Sequence, residues 1–232
     1  AIGATTAAGL GASGLALLND AIGNLNASDV NTVGKIEALA ATAAQLQALA
    51  ALTTAPTPLP SINLSALAAL GITGLNADNL PVFLALVAAS ANDGTEADSL
   101  AELQALVTRA QQDLAQILLA QQRQQAAIQL IQAYAGDSTT PAGSTAPTLA
   151  DFAAAGVTGI NTSNLSAIQS ALATPAITGA QLGTTASVQA LVNAYSLILA
   201  EANGSNADAT PNANPTAGTY AAIGASTAAG MA

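Results

Sequence analysis

The chain has 232 residues, of which 51% are hydrophobic but only 2% aromatic and 7% charged, and three basic residues against thirteen acidic ones leave a formal charge of −10. Nucleic acid and anionic membrane surfaces are bound through clustered Lys and Arg, so three scattered cations, Lys35, Arg109 and Arg123, argue against both as partners. Cys and His are absent, which excludes disulfides, thiolate nucleophiles and imidazole ligands.

Alanine supplies most of the apolar content. It favours helix and lets backbones approach closely while burying little area per residue, so thin, closely packed helices are expected. No uninterrupted apolar run reaches the length of about 20 residues that a spanning helix needs, and membrane insertion is not expected. The sequence does not open on a charged segment followed by an apolar one, so it reads as mature or excised from something longer.

Ala1 to Leu10 holds too much glycine for a firm helix. Leu15 to Ile22 has apolar residues at helical spacing, and Asn26-Ala27-Ser28-Asp29 is a turn with helix-start chemistry. Val33, Ile36, Leu39, Ala43, Leu46 and Leu49 then form a stripe that predicts a helix running to about Leu52. Thr53 to Pro60 (TTAPTPLP) reads as an extended Pro/Thr linker. A short helix is predicted at Leu64 to Leu70, a turn at Gly71 to Gly74, and a second helix from near Asp78, where Pro81 suits a first turn. A break at Ala91 to Thr95 precedes a long helix from Asp98 or Ser99 to Tyr134, with Ser99 and Glu102 at capping-box spacing. Gly136 to Pro147 is a second Thr/Ser/Pro linker. Helices follow near Leu149–Ala155, Ser163–Ala173 and Thr185–Ala202, and Asn203 to Gly218 is a third linker.

The helices fall into a repeat. Leu67, Gly71, Thr73, Gly74, Asn79 and Leu80 recur as Phe152, Gly156, Thr158, Gly159, Asn164 and Leu165, 85 residues on (156 − 71), and 103–107 (LQALV) recurs at 188–192 (VQALV) in the same register. Ile36-Glu37-Ala38-Leu39 matches Val188-Gln189-Ala190-Leu191, which makes the first sixty residues a diverged copy. The last residues, AIGASTAAGM at 222–231, nearly repeat AIGATTAAGL at 1–10, and Gly3, Gly71, Gly156 and Gly224 are the glycines expected to correspond. The expected fold is all-α: a tandem array of about three small three-helix units joined by Thr/Ser/Pro-rich linkers. Its boundaries are 1–60, 61–146 (with the extended Gln-rich helix), 147–214, and 215–232 as the start of a fourth unit or an inter-subunit packing segment.

The segment from Phe152 to Ile160, with Asn164-Leu165 and Val188 to Tyr195, resembles the Ala-rich helical tandem repeats of very large secreted surface or adhesin-like proteins of Gram-negative bacteria. Asn19 to Ile22, Ser28-Asp29-Val30 and Lys35 to Leu39 look like a further copy. The resemblance covers most of the chain. It implies an extracellular or cell-surface location and a structural or adhesive role, and it supplies no catalytic residue.

Asp93, Glu96 and Asp98 are the one place where calcium merits consideration. Calcium asks for about six to eight oxygens and the EF-hand spacing is not met, so an acidic, solvated turn at a helix start is the preferred reading. Glu96, Asp98 and Glu102 are also the only close carboxylates for acid–base chemistry, and they have no aromatic neighbours in sequence to bind a sugar. Lys35, beside Glu37, is the sole base for a Ser/Lys pair, which nothing local supports. No enzyme activity and no cofactor are expected. Asn26, Asn63, Asn161, Asn164 and Asn203 sit in Asn-x-Ser/Thr, but the linkers are the better candidates for glycans, through Thr53, Thr54, Thr57, Thr139, Thr140, Thr145, Thr210 and Thr216. Tyr220, Ile223, Met231, Ile2 and Leu10 are the candidate assembly residues, Tyr220 standing where Phe152 and Leu67 stand in earlier copies.

Small Ala-rich units gain stability by covering one another's apolar faces, and head-to-tail contacts that do not close into a ring give filaments. The expected function is therefore a non-catalytic extracellular structural protein that builds a filament, sheath or surface layer from copies of itself. The alternative is an adhesin stalk or binding module recognising a surface, carbohydrate or ice. Against it, the Thr residues collect in linkers rather than on a regular face, and aromatics are scarce.

Overall fold

The computed structural model describes residues 5–52, 56–90, 96–136, 145–202 and 214–225. Among them are ten α-helices and no strand: α1 Thr5–Ala8, α2 Ala12–Gly23, α3 Val33–Ala50, α4 Leu64–Leu70, α5 Leu80–Ala88, α6 Leu100–Tyr134, α7 Leu149–Ala154, α8 Leu165–Leu172, α9 Thr185–Glu201 and α10 Ala217–Ala222. The chain gathers into two compact units, residues 1–118 and 119–232, so α6 begins in the first and ends in the second.

Most helix starts are fixed by a side chain that accepts from an otherwise unpaired backbone N–H. The Thr32 hydroxyl accepts from the Lys35 amide at α3, and the Asn63 carboxamide oxygen accepts from Ser65 at α4. Helix α3 therefore starts after Thr32, not from the Asn26–Asp29 turn, where the Asp29 carboxylate instead accepts from the Asn26 amide (3.1 Å). At α6 the Ser99/Glu102 box forms, the Ser99 amide donating to Glu102 Oε2 at 3.2 Å and the Glu102 amide to Ser99 Oγ at 3.3 Å. The Leu100 amide, next in line, donates to Asp20 Oδ2 of α2 at 2.7 Å, which sets a carboxylate at the positive end of the α6 dipole. Reciprocal boxes also open α7 (Thr148/Asp151), α9 (Thr184/Ser187) and α10 (Thr216/Thr219).

In the first unit one core joins all the helices from α2 to α6. Leu17, Leu18 and Ala21 of α2 meet Leu39, Ala43 and Leu46 of α3, and Leu67, Phe83, Val87, Leu103 and Val107 complete it. Alanines at 21, 40, 43, 50, 88, 97 and 110 are nearly inaccessible, which is how so few bulky side chains fill a core. The residues just before α4 are part of this packing: Ile62 is buried and Leu59 lies against the cluster. In the second unit Phe152 of α7, Ile168 and Leu172 of α8, and Val188, Leu191 and Val192 of α9 close on Ala127 and Ile131 of α6.

Three elements depart from the sequence expectation. Helix α1 forms at Thr5–Ala8, in the stretch expected to hold too much glycine for a helix, because these four residues contain none. A 3₁₀ turn at Gly179–Leu182, opened by a Thr178/Gln181 box, lies between α8 and α9, where no helical turn was expected. Its Gly179 is fixed by crowding, since a Cβ there would lie 2.6 Å from the Gln132 carbonyl oxygen. Helix α10 begins at Ala217, inside the stretch expected to be linker up to Gly218. Among the described residues no helix is long and apolar enough to cross a membrane.

Candidate functional site

Among the described residues no three or more His, Cys, Asp or Glu side chains are grouped to hold a metal. Of the calcium candidates, Asp93 lies outside the described residues. Glu96 and Asp98 stand at the entry to α6, where Glu102 Oε2 accepts from the Asp98 and Ser99 amides, so this third carboxylate is engaged in capping. Lys35 donates to the Ser28 carbonyl and to Asn31 Oδ1, tying the loop before α3 to that helix.

What recurs is a helix followed by a left-handed glycine turn. At the end of α4 the Ile72 amide donates to the Leu67 carbonyl (3.0 Å) and the Gly71 amide to the Ala68 carbonyl (3.0 Å). At the end of α7 Val157 donates to Phe152 (2.9 Å) and Gly156 to Ala153 (3.0 Å). At the end of α10 Ala225 donates to Tyr220 (3.0 Å) and Gly224 to Ala221 (3.0 Å). Each is the paired 6→1 and 5→2 closure that demands a left-handed residue at its corner, and φ is +103° at Gly71, +76° at Gly156 and +83° at Gly224. Gly3, the fourth glycine of the sequence pattern, lies outside the described residues.

A second bracket fastens the turn to the following long helix. Gln104 Oε1 accepts from the Thr73 amide (3.2 Å) and its Nε2 donates to the Thr73 carbonyl (3.0 Å). Gln189 treats Thr158 likewise, at 2.8 and 3.1 Å. In the first sixty residues both Glu37 carboxylate oxygens accept from the Thr6 amide, at 3.0 and 3.1 Å. All three pairs are 31 residues apart. The partner is Thr6, so at the N-terminus the bracket sits one residue later than a Gly3-to-Gly71 match would place it.

A third device closes the loop before the second helix. Asn79 Oδ1 accepts from the Asn76 amide (2.8 Å) and its Nδ2 donates to the Gly74 carbonyl (3.0 Å). Asn164 does the same with Asn161 (2.8 Å) and Gly159 (2.8 Å). Both side chains are buried, which is affordable only because their amides are satisfied. This also withdraws Asn164 as a glycan acceptor.

The glycine-turn helices have two faces. In α4 and α10 the alanine side borders the helix before it. Ala68 and Ala69 of α4 line a cavity of about 460 Å³ with Lys35, Ala38 and Leu39 of α3, and Ala221 and Ala222 of α10 line a smaller one with Ser187, Ala190 and Leu191 of α9. In α4 and α7 the bulky side is buried against the helices that follow. There Leu67, Leu70 and Ile72 are 0–2% exposed, and Phe152, Ala155 and Val157 are 0–5% exposed. The same positions around α10 are Tyr220, Ile223 and Ala225, and all three are only half-buried. Of the other assembly candidates, Leu10 is half-buried against the first unit's core, and Ile2 and Met231 lie outside the described residues.

Among the Thr candidates Thr57, Thr145 and Thr216 are exposed. The Thr216 hydroxyl accepts from the Thr219 amide at the start of α10, so a sugar there would compete with the cap. Thr53, Thr54, Thr139, Thr140 and Thr210 lie outside the described residues. Comparison with protein-family models, with curated proteins and with solved structures finds no match to this chain.

Proposed function

We propose that this chain is a non-catalytic structural protein that assembles head to tail with copies of itself into an extracellular filament, sheath or surface layer. In this reading the chain is a tandem array of three-helix units, each opened by a glycine-turn helix and closed by a long helix bracketed to that turn. The observation that supports it most is the unequal burial of one recurring element. The bulky side is covered at Leu67 and Phe152 and only half-buried at Tyr220, although the same paired hydrogen bonds close all three helices at their glycines. An element built for covering and left half open suits a protein whose units are completed by neighbours. A surface carried by Thr, Asn and Gln rather than by charge suits work outside the cell, with exposed Thr57 and Thr145 as candidate sugar acceptors.

Negative-stain microscopy and light scattering of the purified chain at high concentration test this reading. Filaments or sheets, with a mass that grows with concentration, are expected. Monodisperse particles holding the 22.4 kDa of a single chain would refute it.

A further inference from the structure

The first unit holds an enlarged and charged copy of a groove that the second unit closes. The 31-residue bracket matches Glu37 with Gln189, and in that register the loops before α3 and α9 correspond as well. The Asn26 amide donates to Asp29 Oδ2 at 3.1 Å where the Thr178 amide donates to Gln181 Oε1 at 2.7 Å, and Thr32 caps α3 where Thr184 caps α9. Lys35 then stands for Ser187, Leu39 for Leu191 and Leu25 for Ile177. All six line the cavities described above, yet the volume is about 460 Å³ in the first unit and about 170 Å³ in the second. Two side chains account for the difference. Four residues, 173–176, separate α8 from Ile177, and Ala176 among them lines the smaller cavity, whereas only Asn24 separates α2 from Leu25. Leu182 also lines the smaller cavity, where the first unit has the shorter Val30.

The rim changes with the volume. Neutral Gln181 and Ser187 are replaced by Asp29 and by Lys35, the chain's only lysine. Both line the larger cavity, and no ion pair joins them. Lys35 uses two of its three N–H groups on the Ser28 carbonyl and Asn31 Oδ1, while Asp29 receives both Asn26 donors on Oδ2. One donor of Lys35 and Asp29 Oδ1 are therefore open to a ligand. The floor asks for nothing polar: Thr42 is buried, and its hydroxyl donates to the Ala38 carbonyl at 3.0 Å.

We propose that this groove binds a small zwitterion with an aliphatic side chain, an amino acid of the leucine class. Its carboxylate accepts from Lys35 Nζ, its ammonium donates to Asp29 Oδ1, and its side chain lies on Leu39, Ala68 and Ala69. The second unit supplies the apolar half of this assignment, because there the chain covers the corresponding place with its own Ala176 and Leu182. The rim supplies the other half: opposite charges that do not pair with each other suit a ligand carrying both, whereas a lone carboxylate would face Asp29. The larger cavity lies within the roughly 300–1,000 Å³ of ligand pockets and the smaller one falls below it.

Saturation-transfer NMR on the full chain tests this, since it reads the ligand and works whether the chain is single or assembled. L-leucine should show saturable transfer, strongest at its methyl groups, and glycine, with the same charges and no side chain, should show none. 4-Methylpentanoate and 3-methylbutylamine, each keeping one of leucine's two charges, should bind about tenfold more weakly, the contribution of one charge-assisted hydrogen bond. Lys35→Met, which keeps the stem and removes the ammonium, should weaken leucine binding by a similar factor. Ala69→Leu, at an exposed position, fills the groove and should abolish the leucine signal while circular dichroism stays unchanged. Ala222→Leu, its counterpart at the closed groove, should leave the signal intact. No saturable transfer to leucine, an equal signal from glycine, or 4-methylpentanoate binding as tightly as leucine would each overturn the proposal. So would full binding by Lys35→Met, or a leucine signal that survives in folded Ala69→Leu.

Discussion

Replacing Asn164 by Ala removes two hydrogen bonds at once, from the Asn161 amide to Oδ1 (2.8 Å) and from Nδ2 to the Gly159 carbonyl (2.8 Å). Gly159 and Asn161 lie at the surface, so water can replace part of what is lost. The cost is therefore that of two ordinary bonds, about 2 kcal/mol in all, rather than that of two sealed, unpaired groups. For the second unit's 114 residues (232 − 118), an unfolding entropy of about 2.1 cal/mol/K per residue turns this into a fall in Tm of roughly 8 °C. Thermal melting followed by circular dichroism measures it. Asn79→Ala should cost a similar free energy, because Asn79 makes the same two bonds at 2.8 and 3.0 Å with neighbours equally exposed. A shift of about 1 °C or less at either position would refute the claim that these side chains hold the turn. Loss at one without loss at the other would refute their equivalence.

Ala at Gly71 or Gly156 must adopt positive φ and should lower stability by about 1–2 kcal/mol in denaturant titrations, whereas Gly34→Ala, in the first turn of α3 with open space around it, should be neutral or raise it. Glu37→Gln should leave Tm almost unchanged, since Gln already does this work at positions 104 and 189; a large loss would mean that the carboxylate charge matters at Thr6. Phe152→Ala should cost about 3–5 kcal/mol in the isolated chain. Tyr220→Ala, at the corresponding but half-open position, should change the melting of the single chain far less while reducing its association, as read by light scattering.

The helices were legible because their signals are local. The stripe from Val33 to Leu49 and the Ser99/Glu102 box each placed an element within a few residues of where it stands. The 3₁₀ turn at Gly179–Leu182 was not, although its Thr178/Gln181 pair stands at capping-box spacing: four residues show no periodicity, and the close approach of Gln132 is a long-range contact. Helix α10 was hidden by composition: Pro, Thr and Gly before Tyr220 read as linker, although Thr216 and Thr219 carry a capping pair. The correspondence of Tyr220 with Phe152 and Leu67 was readable from the repeat. That Tyr220 would be only half-buried depends on what surrounds each copy, and no single repeat contains that information.

The most direct test of the central claim is sedimentation velocity over a wide concentration range, comparing the wild-type chain with Tyr220→Asp. The account predicts a wild-type sedimentation coefficient that climbs with concentration, and a variant, still helical, that assembles less. A wild-type coefficient that stays at the single-chain value throughout, or a variant that assembles as the wild type does, would contradict it.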